Sequence, residues 1–206
     1  MANETSVYRH QRVAELLDQD APLDVNDAAA IMRDRRGLKN ENIGNGNEKA
    51  INQLIAHHSI IFKPEEGRFW ISTAPYQLGE YLCYDLDSVF DNAIPYGGKK
   101  EIYVEDLSIT ADTFLSNDGY HRFVAWKGLG AAFLEAAKQH ERIENEQATL
   151  DAFIAYNPEY YYTYDILGQY FHSVKDYGLA VKYFTFALEK EVSSATERES
   201  IQERSA

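Results

Sequence analysis

Cys83 is the only thiol in the 206-residue sequence and is therefore the first candidate nucleophile. It lies between Leu82 and Tyr84 in a run predicted as a strand, and no local His or Asn pattern indicates a general base. A small thiol in such a strand is typically buried. We therefore expect Cys83 to fill the core. A lone cysteine also excludes an internal disulfide and a multi-cysteine zinc site.

Six histidines raise the question of a metal site, and two of them, His57 and His58, are adjacent. The pair falls in a predicted strand, where neighbouring side chains point to opposite faces and cannot share one ion. We expect a structural or hydrogen-bonding role for one of the two. No Glu-x-x-His or His-x-x-x-His spacing occurs among the others, which are His10, His121, His140 and His172. The sequence predicts no metal site and no cofactor.

Two further motifs could bind anions. The glycines of Gly44-Asn-Gly46 fit neither G-x-x-x-x-G-K nor G-x-G-x-x-G, so this segment is predicted to be a turn. The run Arg33-Asp-Arg-Arg36 could hold an anion at the end of a helix. It could equally complement the negative end of the helix dipole, and the residues alone leave both alternatives open.

A cluster of four tyrosines follows Pro158, at positions 160, 161, 162 and 164. Tyrosines at the start of a helix more often pack between helices than stack on sugars or bases. The charge balance of 20 Lys and Arg against 33 Asp and Glu, a formal net charge of −13, also argues against a nucleic-acid or anionic-membrane partner. No run approaches 18 apolar residues and no targeting signal is visible, so we expect no membrane span and leave the compartment open.

The N-terminal segment is predicted to form two short helices. Val13, Leu16 and Leu17 make an apolar stripe on the first helix, opposite Arg9 and Arg12. The second helix is predicted to begin with Asp24 as its N-cap, to carry Asp27 three residues later and to stop at Gly37. Residues 42–47, rich in Gly and Asn, are predicted to be a loop.

The middle of the sequence changes to a strand pattern. Residues 56–62 and 68–73 are rich in β-branched and aromatic residues, and the turn sequence 63–67 between them predicts a β-hairpin. Residues 81–86 and 101–104 are predicted as further strands, and the second of these is followed by a polar connection to about residue 119. Because a sheet must bury a face, we predict an α+β fold in which the sheet packs on helices.

The rest of the sequence is predicted to be helical. Two apolar faces lie at 123–137 and 148–154, and residues 161–191 match the tetratricopeptide pattern with Gly168 and Ala180 at its small positions. One such hairpin cannot form a solenoid, so it should pack on its own domain. The charged tail from Glu189 is predicted to be a solvated, fraying helix end. We place a domain boundary between residues 118 and 119.

Five segments resemble the C-terminal part of the penicillin acyltransferase family, cysteine N-terminal-nucleophile (Ntn) hydrolases related to choloylglycine hydrolases. They are NETSVYRHQR at 3–12, AIMRDRRG at 30–37, GNEKAINQLIAHHSIIFKPE at 46–65, FWISTAP at 69–75 and LGEY at 78–81. The resemblance covers about residues 3 to 90, and the helical tail resembles that of larger members. It implies part of a four-layer αββα fold in residues 1–118, followed by a TPR-like helical region in residues 119–206.

The resemblance also implies an activity and a missing nucleophile. In this family a cysteine exposed by autocatalytic cleavage attacks an amide or thioester carbonyl, and its own α-amino group is the base. Cys83 is internal and has no such group, so the sequence resembles a C-terminal fragment that acts on small amide or acyl substrates only with its missing half. Of the family's site residues, only a pocket arginine falls here, at Arg9 or alternatively Arg12.

A different class of function remains open from the sequence. The hairpin at 161–191 is also expected of a non-enzymatic protein-interaction module, although that hypothesis leaves the hairpin segments at 56–75 unexplained. A thiol hydrolase that uses Cys83 with His57 or His58 has little support. If the fragment hypothesis holds, the strands at 56–86 expose edges and aromatic side chains, so the isolated chain should self-associate.

Overall fold

The computed structural model describes residues 4–18, 22–91 and 102–205, and within them the protein has an α+β fold. The helices are α1 Glu4–Leu17, α2 Val25–Met32, α3 Leu86–Asp91, α4 Asp118–Gln139, α5 Glu146–Tyr156, α6 Tyr161–Ser173, α7 Tyr177–Leu188 and α8 Ala195–Ser205. The strands are β1 Ile60–Lys63, β2 Arg68–Ser72, β3 Tyr81–Asp85 and β4 Val104–Ile109.

The face of helix α1 that packs against the protein is not the predicted one. Leu17 is exposed, whereas Arg12, predicted to lie opposite the apolar stripe, is buried. Nε and Nη2 of Arg12 donate to the two carboxylate oxygens of Asp34, at 2.9 and 3.1 Å. The prediction of an apolar stripe opposite the arginines is therefore wrong, because a two-fold ion pair makes the guanidinium the buried contact.

Helix α2 begins as predicted and ends earlier. The Asp24 carboxylate accepts from the backbone N–H groups of Asn26 and Asp27, and Asp27 in return accepts from the backbone of Asp24, which forms a capping box. The helix ends at Met32, so the predicted stop at Gly37 is wrong. A Cβ at Gly37 would lie 2.6 Å from the hydroxyl of Tyr8, so close packing explains this glycine.

The strands form one antiparallel sheet in the order β1-β2-β3-β4. The predicted hairpin is confirmed, with Gly67 at φ 62° closing the turn between β1 and β2. Strand β1 begins only at Ile60. The predicted polar connection after 104 is wrong, because β4 occupies Val104–Ile109. Glu101, the first residue of the predicted fourth strand, lies outside the described residues.

The two faces of the sheet have different environments. Trp70, Tyr81 and Cys83 point to one face and are buried in a small core with Ala29 of α2. The opposite face, which we call the open face, carries only large apolar side chains on its first three strands, and each is exposed or half-buried. These are Ile60, Phe62, Phe69, Ile71, Leu82 and Tyr84.

Helices α4 to α8 enclose a second, larger core. The Trp126 ring stacks between Phe123 and Phe153, with ring centroids 5.9 and 5.8 Å apart. Helices α6 and α7 form a hairpin in which a Cβ at Gly168 would lie 2.4 Å from the Phe184 ring. The close approach of these two helices therefore requires glycine. Tyr160, Tyr161 and Tyr164 are buried here, so the prediction that the tyrosines pack between helices is confirmed for these three, whereas Tyr162 is half-buried.

The C-terminal tail is a packed helix, so the prediction of a fraying helix end is wrong. Ile201 of α8 is fully buried against the helical core. Arg204 Nη2 lies 3.0 Å from Asp165 Oδ1 on α6, although not in hydrogen-bond geometry. Arg198 of α8 also donates to the backbone carbonyls of Leu188 and Lys190. These contacts hold a helix whose sequence is otherwise strongly charged.

The larger core also contains residues from before the predicted domain boundary. Leu54, Leu78 and Phe114 belong to the same buried cluster as Trp126 and Phe133. The division between residues 118 and 119 stays a prediction. Through these contacts the helices position the loops that precede and follow the sheet, where the candidate site residues lie.

Candidate functional site

Arg9, the predicted pocket arginine, lies half-buried on α1. Its Nη1 donates to the backbone carbonyl of Glu48 at 2.5 Å, and its Nη2 donates to Ser6 Oγ at 3.2 Å. No carboxylate pairs with it in the described part of the chain. Since a guanidinium carries five N–H donors, Arg9 is fixed in position and still retains donors for a ligand.

Arg12, the alternative, is fully engaged by the protein. Besides Asp34, its guanidinium contacts Glu15 Oε2 at 3.2 Å and Asn40 Oδ1 at 3.2 Å. These partners raise the pKa of Arg12 above its ordinary value, and the largest cause is the hydrogen bonding of the guanidinium to the Asp34 carboxylate. Between the two alternatives, the contacts assign Arg12 to structure and leave Arg9 as the candidate.

Glu48, whose backbone carbonyl binds Arg9, presents its side chain to a group of hydroxyls. The Tyr160 hydroxyl donates to Glu48 Oε1 at 3.2 Å, and the Tyr161 hydroxyl lies 3.4 Å from Oε2. Tyr161 also shares a 3.0 Å hydrogen bond with Ser193 Oγ. Burial raises the pKa of the Glu48 carboxyl, and burial likewise raises the pKa of both tyrosines.

Glu48 lies at a pocket of about 280 Å³ with largely aromatic walls. The lining residues are Gly46, Glu48, Gln53, Leu54, Ile55, Phe123, Trp126, Lys127, Tyr160 and Tyr162. No cationic side chain among the described residues pairs with the Glu48 carboxyl. A carboxyl with a raised pKa in such a pocket can accept a hydrogen bond from a ligand or exchange a proton with it.

The arginines of 33–36 have separate contacts, which the helix-dipole alternative does not anticipate. Arg33 donates to the carbonyls of Gly79 and Thr110 at 2.6 and 3.0 Å, and burial lowers its pKa. Arg35 pairs with Asp112 at 2.9 Å. Arg33 and Arg35 therefore join α2 to the loops after β2 and β4. Arg36 is exposed and lines a cleft, so the anion-binding alternative stays open for it.

Cys83 lies in the middle of β3, fully buried beneath α2, so the prediction that it fills the core is confirmed. Burial raises the pKa of its thiol. Since the thiolate is the reactive form, burial of this kind opposes nucleophilic attack.

His57 and His58 lie before β1 and are exposed, so their predicted place in a strand is wrong. The expected hydrogen-bonding role is also wrong, because neither ring has a hydrogen-bond partner within the described chain. Gly44 and Gly46 adopt φ of 84° and 92° in a turn, as predicted. Among the described residues, no group of three or more His, Cys, Asp or Glu side chains is arranged to hold a metal ion.

Sequence reasoning missed Glu48, whose backbone carbonyl binds Arg9 and whose carboxyl accepts hydrogen bonds from the tyrosines. A single Glu in a loop carries no periodic or spacing signal, and 33 acidic residues make each one inconspicuous. The tyrosine cluster was the available signal, because buried tyrosine hydroxyls need acceptors. A search for an acidic partner of that cluster could have found the site.

Comparisons with known proteins add no identity to this geometry. A scan against models of protein families finds no match, and searches of curated proteins and of solved structures find none either. Within the described residues, no helix combines the length and the apolar composition that crossing a membrane requires.

Proposed function

We propose that the chain is the C-terminal part of a cysteine Ntn amidohydrolase or acyltransferase of the penicillin acyltransferase family. It acts on small amide or acyl substrates when it is joined to the part that carries the nucleophile. The proposal comes from the five sequence segments that resemble the family. The single observation that supports it most strongly is the open face of the sheet.

The open face has the composition of a core layer rather than of a surface. Phe62 is 67% exposed, and its ring lies 6.2 Å from that of Phe69, which in turn stacks on Tyr84 at 5.1 Å. Antiparallel sheets with one solvated face normally alternate apolar and polar residues. An all-apolar face is the surface that a second sheet covers when two sheets pack face to face.

The order of layers is the second support. Helix α2 packs on the face of the sheet that holds Trp70 and Cys83, and the open face lies opposite. A helix layer followed by a sheet layer is half of the αββα arrangement. We propose that the N-terminal part of the same fold supplies the other sheet and covers the open face.

The chemistry of the complete enzyme then divides between its two parts. The missing part supplies the cysteine, whose α-amino group takes the thiol proton while the sulfur attacks the carbonyl carbon. When the C–N or C–S bond breaks, the protonated α-amino group returns that proton to the departing amine or thiol, and the acyl group stays on sulfur. Water or an amine then attacks the thioester, which releases the acyl group and restores the cysteine thiol. This chain supplies Arg9, which is fixed by the Glu48 carbonyl, as a positive charge at the substrate pocket of the complete enzyme. Cys83 takes no part, since it is buried and internal.

The helical tail has a separate proposed role. We propose that α6 and α7 are a TPR-like hairpin that packs on its own domain. Support comes from the contact between Gly168 and Phe184 and from the burial of Ala180, the two small positions of the pattern. An interaction module built on this hairpin is the alternative function, and it leaves the open face of the sheet without an explanation.

The test is reconstitution with the polypeptide encoded upstream of Met1. The chain is co-expressed with that polypeptide and co-purified, and turnover of phenylacetyl p-nitroanilide is measured for the complex and for the chain alone. We expect turnover only in the complex. Changing the N-terminal cysteine of the upstream polypeptide to Ala should abolish turnover. Arg9→Gln in this chain should lower turnover about tenfold or more, since Arg9 supplies a charge-assisted contact.

The controls separate this enzyme from the alternatives. Lys175→Gln removes one exposed positive charge on the α6–α7 turn and should leave turnover unchanged. Turnover by the chain alone that is lost in Cys83→Ala overturns the proposal. So does an upstream sequence that encodes no cysteine-containing partner, and so does a complex without turnover.

A further inference from the structure

A cleft of about 640 Å³ lies beside the end of α2, on the helix-covered side of the sheet. Its walls come from α2 and the arginines after it, from the loop at 42–45, and from the segment 111–117 that leads to α4. The lining residues are Ala30, Arg33, Asp34, Arg35, Arg36, Asn42, Asn45, Ala111, Asp112, Thr113, Phe114 and Asn117.

The charges in this cleft do not cancel. Asp34 forms an ion pair with Arg12, which does not line the cleft, and Asp112 forms an ion pair with Arg35 at 2.9 Å. Arg33 and Arg36 are left without a carboxylate partner in the described chain. Arg33 donates hydrogen bonds to backbone carbonyls, whereas Arg36 has no hydrogen-bond or ion-pair partner among the described residues. In a chain of net charge −13, the cleft therefore retains excess positive charge.

Two asparagines add hydrogen-bond donors to the same cleft. Asn42 Oδ1 accepts the backbone N–H of Gly44 at 3.2 Å, and Asn117 Oδ1 accepts that of Gly119 at 2.8 Å. Because the oxygen of each amide is engaged, the free end of each is its NH₂ group. Neither NH₂ group has a partner within the described residues. The cleft is thus lined by unengaged donors, and its carboxylates are already occupied.

The remaining wall is partly apolar. Ala30, Ala111 and Phe114 line it, and Arg35 stacks on the Phe114 ring with its guanidinium carbon 4.0 Å from the centroid. This contact and the ion pair with Asp112 hold the wall in place. The cleft can therefore accept an apolar body beside an anionic group, and its volume is within the range of small-molecule sites.

We propose that this cleft binds the carboxylate of a small organic acid, with Arg36 as the charged contact and the amide NH₂ groups of Asn42 and Asn117 as the neutral ones. A planar carboxylate matches the fork of a guanidinium, and one unpartnered guanidinium matches one negative charge. A phosphate dianion is favoured less, because Arg33, the second guanidinium without a carboxylate partner, already donates to the backbone carbonyls of Gly79 and Thr110. The site is separate from the proposed amidohydrolase function and does not depend on it.

The test is calorimetric titration of the full chain with three probes at low salt. Benzoate has a carboxylate and an apolar ring, benzyl alcohol has the ring without the charge, and inorganic phosphate has the charge without the ring. We expect benzoate to bind, benzyl alcohol to bind about tenfold more weakly or not at all, and benzoate affinity to fall as salt rises. Equal binding of benzoate and benzyl alcohol, tighter binding of phosphate, or no binding of benzoate overturns the proposal.

Two variants locate the site. Arg36→Gln should weaken benzoate binding about tenfold or more, because it removes the charged donor. Asn42→Asp keeps the oxygen that accepts from Gly44 and replaces the NH₂ donor with a charged acceptor, so it should also weaken binding while the loop stays folded. Lys175→Gln changes the net charge by the same amount as Arg36→Gln, outside the cleft. Loss of binding in Lys175→Gln equal to that in Arg36→Gln would show a diffuse charge effect and overturn the site.

Discussion

The helical core and the open face of the sheet are built from the same residue types and differ in what covers them. In the helical core, Phe153 is fully buried and the Trp126 ring stacks between two phenylalanines. On the open face, Phe62, Phe69 and Tyr84 form a comparable row of rings, and Phe62 is 67% exposed. Aromatic content alone therefore does not predict burial. An apolar surface is buried only when a second layer covers it. In the helical core, each helix is covered by its neighbours.

The helical region buries its apolar faces within the chain, whereas the sheet leaves one apolar face exposed. Helices α4 to α8 bury their apolar faces against one another and against Leu54 and Leu78. In the sheet, α2 packs on one face, and no described helix contributes to a buried core on the other. We expect the helical core to dominate the stability of the chain and the open face to govern its association. The two tryptophans report on the two regions separately, since Trp70 lies in the sheet and Trp126 in the helical core.

The largest expected effect is in the helical core. Phe153→Ala removes a fully buried ring that contacts Trp126 and Phe133 and leaves a cavity, so the free energy of unfolding should fall by about 3–5 kcal/mol. The measurement is urea unfolding followed by the fluorescence of Trp126 in a Trp70→Phe background. The matched control is Phe90→Ala on α3, where the ring is 74% exposed and the change should stay within about 0.5 kcal/mol. Equal losses of unfolding free energy in Phe153→Ala and Phe90→Ala would show that burial does not distinguish the two rings.

The second expected effect is a pH dependence within the helical core. Asp165 is 1% exposed, and burial raises its pKa to about 6, although Arg204 and Gln169 oppose that shift. Because the folded-state pKa exceeds the unfolded one, the folded state binds the proton more tightly. Ionised Asp165 therefore destabilises the fold above about pH 6, and the penalty is relieved as the pH falls toward 4. A shift of about 2 units corresponds to roughly 3 kcal/mol.

Asp165→Asn isolates this contribution, because it keeps an acceptor for Gln169 and removes the titration. The free energy of unfolding of wild type relative to Asp165→Asn should rise by roughly 2–3 kcal/mol between pH 7.5 and pH 4. Other carboxylates titrate in both proteins and cancel in the difference. If the difference in free energy of unfolding between wild type and Asp165→Asn does not change with pH, the pKa of Asp165 is the same in the folded and unfolded states. That result contradicts the prediction.

Local signals predicted much of the secondary structure. The capping box at Asp24 and the turn at 63–67 each involve residues close in sequence, so their chemistry is visible without the fold. The antiparallel hairpin and the helical hairpin at Gly168 followed from the same kind of pattern. Cys83 was correctly expected to be buried because its neighbours form a strand.

Contacts between distant residues explain what could not be predicted. Arg12 is buried because Asp34, 22 residues away, pairs with it, and no periodicity shows that partner. Glu48 meets Tyr160 across 112 residues. Arg9 was proposed from a resemblance, and the geometry adds only that it is held by Glu48 and retains free donors. The open face was expected as exposed strands, but its all-apolar composition required the strand register.

The smallest expected effect on stability is on the open face, where the effect on association should be largest. Phe62 lies on the edge strand β1 and is mostly exposed, so Phe62→Lys should change the free energy of unfolding by no more than about 0.5 kcal/mol. The isolated wild-type chain should self-associate through this face, because it combines an unpaired strand edge with an apolar surface. A charged side chain in its place should shift the chain to monomers. Sedimentation velocity over a range of concentrations measures the change.

The control for this prediction is Val181→Lys on α7, a similar change at an exposed apolar residue of the helical region. It should leave the association of the chain unaltered, because Val181 lies beside the exposed polar residues Lys182 and Thr185 and is not part of the open face. If Val181→Lys dissociates the chain as well as Phe62→Lys does, general charge repulsion is the cause. A wild-type chain that stays monomeric at high concentration would mean that the open face tolerates water. The contrast between a covered helical core and an uncovered sheet would then carry no consequence for assembly.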